Sequence, residues 1–337
     1  MKFGTVPLID AAGAILAHSL RTPKGAVKKG TCLGSDELQR LADAGIADVM
    51  VARLEDGDVG ENAVAARIGA VLAGAGVRAA DAFTGRANLF AAGAGVLEFS
   101  AEAIGELAAI DEAITLATLA PFQRVAAGQM VATVKVIPFA VPKDVVERAE
   151  RCAAQPDAGL RVHPFRPLRA HLILTRFAHD KPSLLEKRKA AVADRVRSLG
   201  GTMGEIDTCG HVTDELAARL KRLAPDAGDI VMIFGTSAIL DRRDVVPAAL
   251  EAAGGSVERL GMPVDPGNLL MLGRLGPALA IGVPSCASSP KINGFDWVLE
   301  RAFAGLPLDA GAVSAMGVGG LLGEIASRPQ PRRGKGK

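Results

Sequence analysis

The residues best placed to do chemistry fall in short loops that follow apolar runs. Phe234-Gly235-Thr236-Ser237-Ala238 follows the run Asp229 to Phe234 and leads through Asp241-Arg242-Arg243-Asp244 to Val245-Val246-Pro247, which reads as the start of a helix. Small residues directly after a strand let backbone N–H groups approach a phosphate, and hydroxyls and a helix start add further positive character. Gly235, Thr236 and Ser237 therefore read as an anion cradle. At its rim Asp241 and Asp244 offer carboxylates that suit a hard cation such as Mg²⁺. The same pattern also allows Asp244 to act only as a helix cap, with the arginines solvated.

A second loop, Val283-Pro284-Ser285-Cys286-Ala287-Ser288-Ser289-Pro290-Lys291, again follows an apolar run. Ser289 suits an N-cap and Pro290 the first helical position, which leaves Ser285, Ser288 and Lys291 to meet an anion. Such a loop can equally serve only to start a helix. Between the two, Gly261-Met262-Pro263-Val264-Asp265-Pro266-Gly267-Asn268 is turn-rich, and Asp265 and Asn268 are expected to line the same cleft. Gly74-Ala75-Gly76-Val77-Arg78-Ala79 has the spacing of a dinucleotide fingerprint but lacks its strand-to-helix context, so a plain turn is expected. His163, His171, His179 and His211 show no metal-ligand spacing, which assigns them to core or surface. No P-loop, H-E-x-x-H or G-x-S-x-G motif is present.

The elements that must position these loops can be read from periodicity. In the second half, His171 to Thr175, Asp229 to Gly235 and Leu279 to Val283 read as strands, the middle one buried on both faces. Helices are expected from Ser183, with Glu186 at capping-box spacing, from about Thr213, near Val245 to Ala253, and from about Pro290 to Ala304. This alternation predicts an α/β domain, a parallel sheet with helices on both faces, because a parallel crossover needs room for a helix. In such sheets ligands bind beyond the carboxyl ends of the strands. The first half mixes signals: a helix from Ser35 to Gly45, then Asp48 to Val51 and Met130 to Pro138 as strands. Residues 151–169 hold several prolines and little periodicity, which divides the chain into a mixed α+β region over 1–165, an α/β domain over 166–328 and a disordered basic tail over 329–337.

Composition narrows the function further. The sequence has 39 Lys and Arg against 37 Asp and Glu, no tyrosine and one tryptophan, so the basic face and stacking aromatics of nucleic-acid binders are missing. No apolar run is long enough to span a bilayer, and the start shows no secretory signal, so no membrane partner and a cytoplasmic location are expected. Cys32, Cys152, Cys209 and Cys286 form no C-x-x-C pair and read as free thiols.

The residues from Ile230 to Pro247 resemble the strand–glycine loop–helix of the MoaB/Mog domain of molybdenum cofactor biosynthesis, whose loop closes on an aspartate matched here by Asp244. The diglycine of that loop is replaced by Gly235-Thr236-Ser237-Ala238. A closer resemblance is to the molybdopterin-binding part of bacterial proteins fused to a C-terminal nucleotidyltransferase. It rests on Asp241 to Val245, Gly261 to Leu270, Ser289-Pro290-Lys291, Asn293 to Leu299 and Gly317 to Leu322, and in the first half on Asp111 to Leu119 and Met130 to Val141. Pro284-Ser285-Cys286-Ala287-Ser288 departs from that group, which more often has a proline–glycine turn and an arginine there.

The resemblance implies that the chain binds molybdopterin or the molybdenum cofactor in a late step of cofactor maturation. Asp244 and Asp241 would be the catalytic pair, Asp244 holding Mg²⁺ for adenylyl transfer or molybdate insertion. It leaves open a non-catalytic carrier or storage module serving other molybdenum cofactor enzymes, and, less specifically, a general nucleotide binder. A homo-oligomer is expected. The sequence ends at Lys337, so no nucleotidyltransferase domain is expected to follow.

Overall fold

The computed structural model describes residues 1–323 and divides into two compact units, Met1–Pro164 and Phe165–Lys337. The basic tail expected over 329–337 lies outside the described residues.

The amino-terminal unit is mixed α+β with antiparallel pairing throughout its sheets. Lys2–Pro7 and Ile15–Leu16 flank Asp48–Arg53, and the helix Ser35–Asp43 adds Leu41 to a small core with Leu16, Val49 and Val51. A four-stranded sheet runs in the order Ile114–Thr118, Met130–Val136, Arg86–Ala91, Val77–Ala79. The helix Glu61–Leu72 buries Val64, Ile68 and Leu72 in the same core as Leu89 and Val134. Gly69 sits at the closest approach, where an added Cβ would lie 3.2 Å from that of Ala87. The fingerprint-like spacing at Gly74 and Gly76 joins a helix to a strand, the reverse of a dinucleotide site. These glycines are fixed by packing instead, since a Cβ on Gly74 or Gly76 would stand 2.7 or 2.5 Å from the carbonyl oxygen of Leu160 or Val162.

The second unit is built on one six-stranded sheet. Its strands are β1 (Arg169–Arg176), β2 (Thr202–Gly210), β3 (Ile230–Phe234), β4 (Ser256–Leu260), β5 (Met271–Leu275) and β6 (Ala278–Gly282), in the spatial order β2-β1-β3-β6-β5-β4. The helices are α1 (Pro182–Ser198), α2 (Thr213–Leu223), α3 (Val245–Ala252), α4 (Gly294–Ala304) and the short α5 (Ala310–Ser314). β3 is buried along its whole length, as a strand covered on both faces must be. On one face α1 and α4 pack Val192, Val196, Phe295 and Leu299 with Leu172, Met232, Phe234 and Ile281. On the other, α2 and α3 pack Leu216, Leu220, Val246 and Leu250 with Ile173, Val231, Ile233 and Ala280.

Three expectations need correction. The sheet is mixed: β2, β1, β3 and β6 are parallel, but β5 runs antiparallel to both β6 and β4. Only Gly276 and Pro277 separate β5 from β6, a hairpin connection far too short for a parallel crossover, and Gly276 supplies a positive φ of 55°. The first helix begins at Pro182 rather than Ser183, so the Ser183–Glu186 capping box does not form; proline's fixed φ suits the first helical position. The last long helix begins at Gly294 rather than Pro290. Asn293 is its cap: its Oδ1 accepts from Phe295 N at 3.0 Å, while Asp296 Oδ2 accepts from Asn293 N at 2.8 Å. Ser289 is extended and caps nothing.

Candidate functional site

From β1 the chain passes to β2 on one side and then returns to β3 on the other, with α1 and α2 on opposite faces of the sheet. The connections therefore diverge at the carboxyl ends of β1 and β3, leaving a crevice of the kind where open α/β sheets bind ligands. Gly235 and Thr236 leave β3 there. Gly235 is tight: a Cβ would meet Ser237 O at 3.0 Å and a methyl of Val246 at 3.2 Å. Thr236 N donates to Thr175 Oγ1, at the end of β1, at 3.0 Å, and Thr236 Oγ1 donates to Asp180 Oδ2 at 2.6 Å. The buried Thr175 hydroxyl also shares a hydrogen bond of 2.8 Å with His211 Nδ1. One lattice of contacts thus joins the loops after β1, β2 and β3.

The charges follow from this arrangement. The Thr236 hydroxyl, and next the Phe177 amide at 2.7 Å, hold the Asp180 carboxyl below the usual carboxylate range. Burial pushes the His211 imidazole down, against the opposing pull of Asp244 and Asp180, so the ring is neutral at pH 7. Phe177 lies parallel to His179, with centroids 5.5 Å apart and planes 12° apart, and meets the edge of His211 at 5.2 Å. This is an aromatic wall against which a planar heterocycle can lie.

α1 contributes two buried arginines. Arg188 lies over the Phe234 ring, its guanidinium carbon 4.9 Å from the centroid, and its Nε and Nη1 are buried with no hydrogen-bond partner among the described residues. Burial lowers its pKa. Arg195 is fully engaged instead. Its Nε donates to Asp296 Oδ1 at 2.8 Å, Nη1 to Ala287 O at 2.9 Å, and Nη2 to Ser289 O at 2.7 Å and Lys291 O at 3.3 Å. Those bonds tie down the segment between the short 3-10 turn Ser285–Ser288 and the start of α4.

The expected site residues are distributed unevenly around this crevice. Gly235 and Thr236 are at its floor, and Asp244 is close enough to act on His211. Asp244 neither caps with its side chain nor stands free: its Oδ2 accepts from Leu240 N at 2.5 Å and Asp241 N at 2.9 Å, bending the loop back on itself. Asp241 accepts from Arg243 N and Nε at 2.9 and 2.7 Å, and that guanidinium holds its pKa low. Ser237 is exposed at the loop tip. The loop after β3 packs against the carboxyl end of β6, where an added Cβ on Gly282 would meet Ile239 at 2.6 Å, and the next loop leaves from there. Within it Ser288 Oγ donates to Ser285 O at 2.8 Å, so that hydroxyl proton is taken internally, while Ser285 and Lys291 are exposed. Asp265 joins a neighbouring segment, its N donating to Gly320 O and its O accepting from Leu322 N, at 2.8 and 2.9 Å. Asn268 Nδ2 turns onto Met262 O at 3.4 Å within its own turn.

Among the described residues no group of three His, Cys, Asp or Glu side chains could hold a metal ion, and Asp241 is committed to Arg243. No helix among the described residues is long and apolar enough to cross a membrane.

Residues 5–53 match a family described as a domain of unknown function, DUF8806, which falls in the amino-terminal unit and is silent on the crevice. No curated protein matches the chain. A solved molybdenum cofactor biosynthesis protein from Pyrococcus furiosus is similar at 13% identity with a TM-score of 0.24, over 91% of this chain. This chain spans 66% of that protein's length, and a likeness so loose carries no weight for fold or function.

Proposed function

We propose that the second unit binds molybdopterin in the crevice between the carboxyl ends of β1 and β3, and that it holds the pterin rather than transforming it with a resident metal. The observation that carries this is the meeting, at the point where strand order reverses, of Thr175, Asp180, His211 and Thr236 with the loop closed by Asp244. That loop is the segment that resembles the pterin-binding loop of the MoaB/Mog domain. The chemistry suits such a ligand: the exposed Ser237 hydroxyl with a nearby cation for a phosphate, and an aromatic wall for a fused ring. The carboxylates of Asp241 and Asp244 brace the loop's own backbone, which favours a holder over a metal-assisted transferase.

The test is protein purified anaerobically, with its bound small molecules read by mass spectrometry and molybdopterin affinity measured on wild type and Thr236→Val. A co-purifying pterin and a roughly tenfold weaker variant, the loss expected when the Thr236–Asp180 bond that shapes the crevice floor is removed, support the reading. A folded wild-type chain with no pterin and no measurable affinity overturns it. Adenylyl transfer or molybdate insertion by the same preparation would replace the holder with an enzyme.

A further inference from the structure

Arg188 stands on the inward stripe of α1, with Val192 and Arg195 one and two turns on, and its residue is only 6% exposed. A guanidinium stays protonated under any condition in which this protein is folded, so a full positive charge is carried out of water here. Such a charge is ordinarily paired and hydrogen-bonded. This one is neither: its Nε and Nη1 have no partner among the described residues, and its guanidinium carbon lies 4.9 Å from the centroid of the Phe234 ring, which offers them no acceptor oxygen. Asp180 is the carboxylate that acts on it through space. No ion pair forms between them, and Asp180 Oδ2 accepts from Thr236 Oγ1 and Phe177 N instead. Phe234 ends β3 and Thr236 follows it, so the empty donors belong to the floor of the same crevice.

We propose that Arg188 is the anchor for a phosphate-class dianion, whose oxygens would take the in-plane N–H groups that the protein leaves empty. A planar fork presents parallel donors at the spacing of two phosphate oxygens, which a point-charge ammonium cannot reproduce. The identity of the dianion as the phosphate of a pterin ligand rests on the reading above; the anion site itself rests on Arg188 alone.

The experiment titrates the full chain with inorganic phosphate at constant ionic strength, following ³¹P line broadening and thermal stability, for wild type, Arg188→Met and Arg188→Lys. Phenyl phosphate provides a monoester arm, and sodium chloride provides the control for screening. Saturable phosphate binding by wild type, weakened about 30-fold or more in Arg188→Met and partly kept in Arg188→Lys, is the expected result. Tighter binding of phenyl phosphate than of inorganic phosphate assigns the site to an ester, and the reverse assigns it to the free ion. Unchanged phosphate affinity in a folded Arg188→Met, or no saturation of wild type below roughly 10 mM, overturns the proposal. A wild-type chain that binds molybdopterin but fails this test refutes the anchor and leaves the pterin reading standing. A chain that binds phosphate through Arg188 but no pterin does the opposite.

Discussion

Replacing Arg195 with methionine should loosen the second unit more than any other single change near the crevice. The side chain is buried and links α1 to the loop after β6 and to α4. Methionine fills most of the stem's volume, so the loss is polar rather than a cavity. Ala287 O and Ser289 O lose the donor that Arg195 provides, whereas Lys291 O keeps Asn293 Nδ2 at 3.2 Å and Asp296 keeps Asn293 N. A stranded buried acceptor costs about 1–3 kcal/mol, and removing one partner of a buried ion pair typically costs about 3–5 kcal/mol in all. Because the loop is partly exposed and water can reach some of these groups, the expected loss is about 3–4 kcal/mol. In a domain of this size that lowers Tm by roughly 6–16 °C. The sequence's single tryptophan, Trp297, adjoins Asp296 on α4 and reports urea unfolding of this unit by fluorescence. Adding Asp296→Asn to Arg195→Met should recover part of the loss, since the amide keeps an oxygen for Asn293 N while no carboxylate is left without its cation. A loss below about 1 kcal/mol, or a double variant whose losses simply add, would refute the brace.

Other outcomes follow from the same reasoning. Asp229 accepts from Arg169 Nε and Nη2 at 3.1 and 2.7 Å, which with Asp226 N and His171 holds its pKa at about 2. A depressed carboxyl pKa adds stability that is complete above the unfolded value and is lost as pH falls through the folded one. Acid unfolding of wild type should therefore steepen between about pH 4 and pH 2, and Asp229→Asn should flatten that limb; identical slopes would count against the network. At Asp244, asparagine keeps an oxygen for the Leu240 and Asp241 amides and should cost little, while alanine should cost about 1–2 kcal/mol, both read as Tm shifts. If Asp244→Asn instead abolishes a Mg²⁺-dependent ligand affinity, the loop-bracing role assigned to this carboxylate is incomplete. Iodoacetamide followed by peptide mass mapping should label exposed Cys32 in the native protein and spare Cys209, which is buried with its thiol pushed up to about 11, until urea unfolds it.

The second unit's architecture was legible wherever burial on both faces leaves an unbroken apolar run, as at Ile230–Phe234, or where a helix carries a plain apolar stripe, as at Thr213–Leu223. β2 escaped notice because it is an edge strand with only Cys209 buried, and its Glu205, Asp207 and Thr208 break any apolar run. β4 and β5 escaped because a hairpin inserted in an alternating pattern breaks the expectation of crossovers. At the candidate site, loop composition pointed to Gly235, Thr236 and Asp244 but not to the bonds Asp244 makes, since a carboxylate can bond backward to amides three and four residues earlier as readily as forward into a helix. Arg188 and Arg195 did leave a signal. They fall on the stripe set by Leu185, Val192, Val196 and Leu199, where a charged residue has to be explained by a partner or a ligand. Thr175, Asp180 and His211 carried none, because their meeting depends on strand order, which no local pattern encodes.

The bond from Thr236 N to the Thr175 hydroxyl has a consequence for hydrogen exchange. Amides inside β3 are locked into ladders with β1 and β6 and should exchange only when the whole unit opens. The Thr236 amide lies just past the strand, and its partner is a side chain that can rotate away while the sheet stays intact. Its exchange should therefore run on a separate, faster clock than that of Ile233 or Phe234. An occupant that seals the crevice would slow this one proton without changing its neighbours, which turns a single backbone amide into a gauge of occupancy independent of global stability.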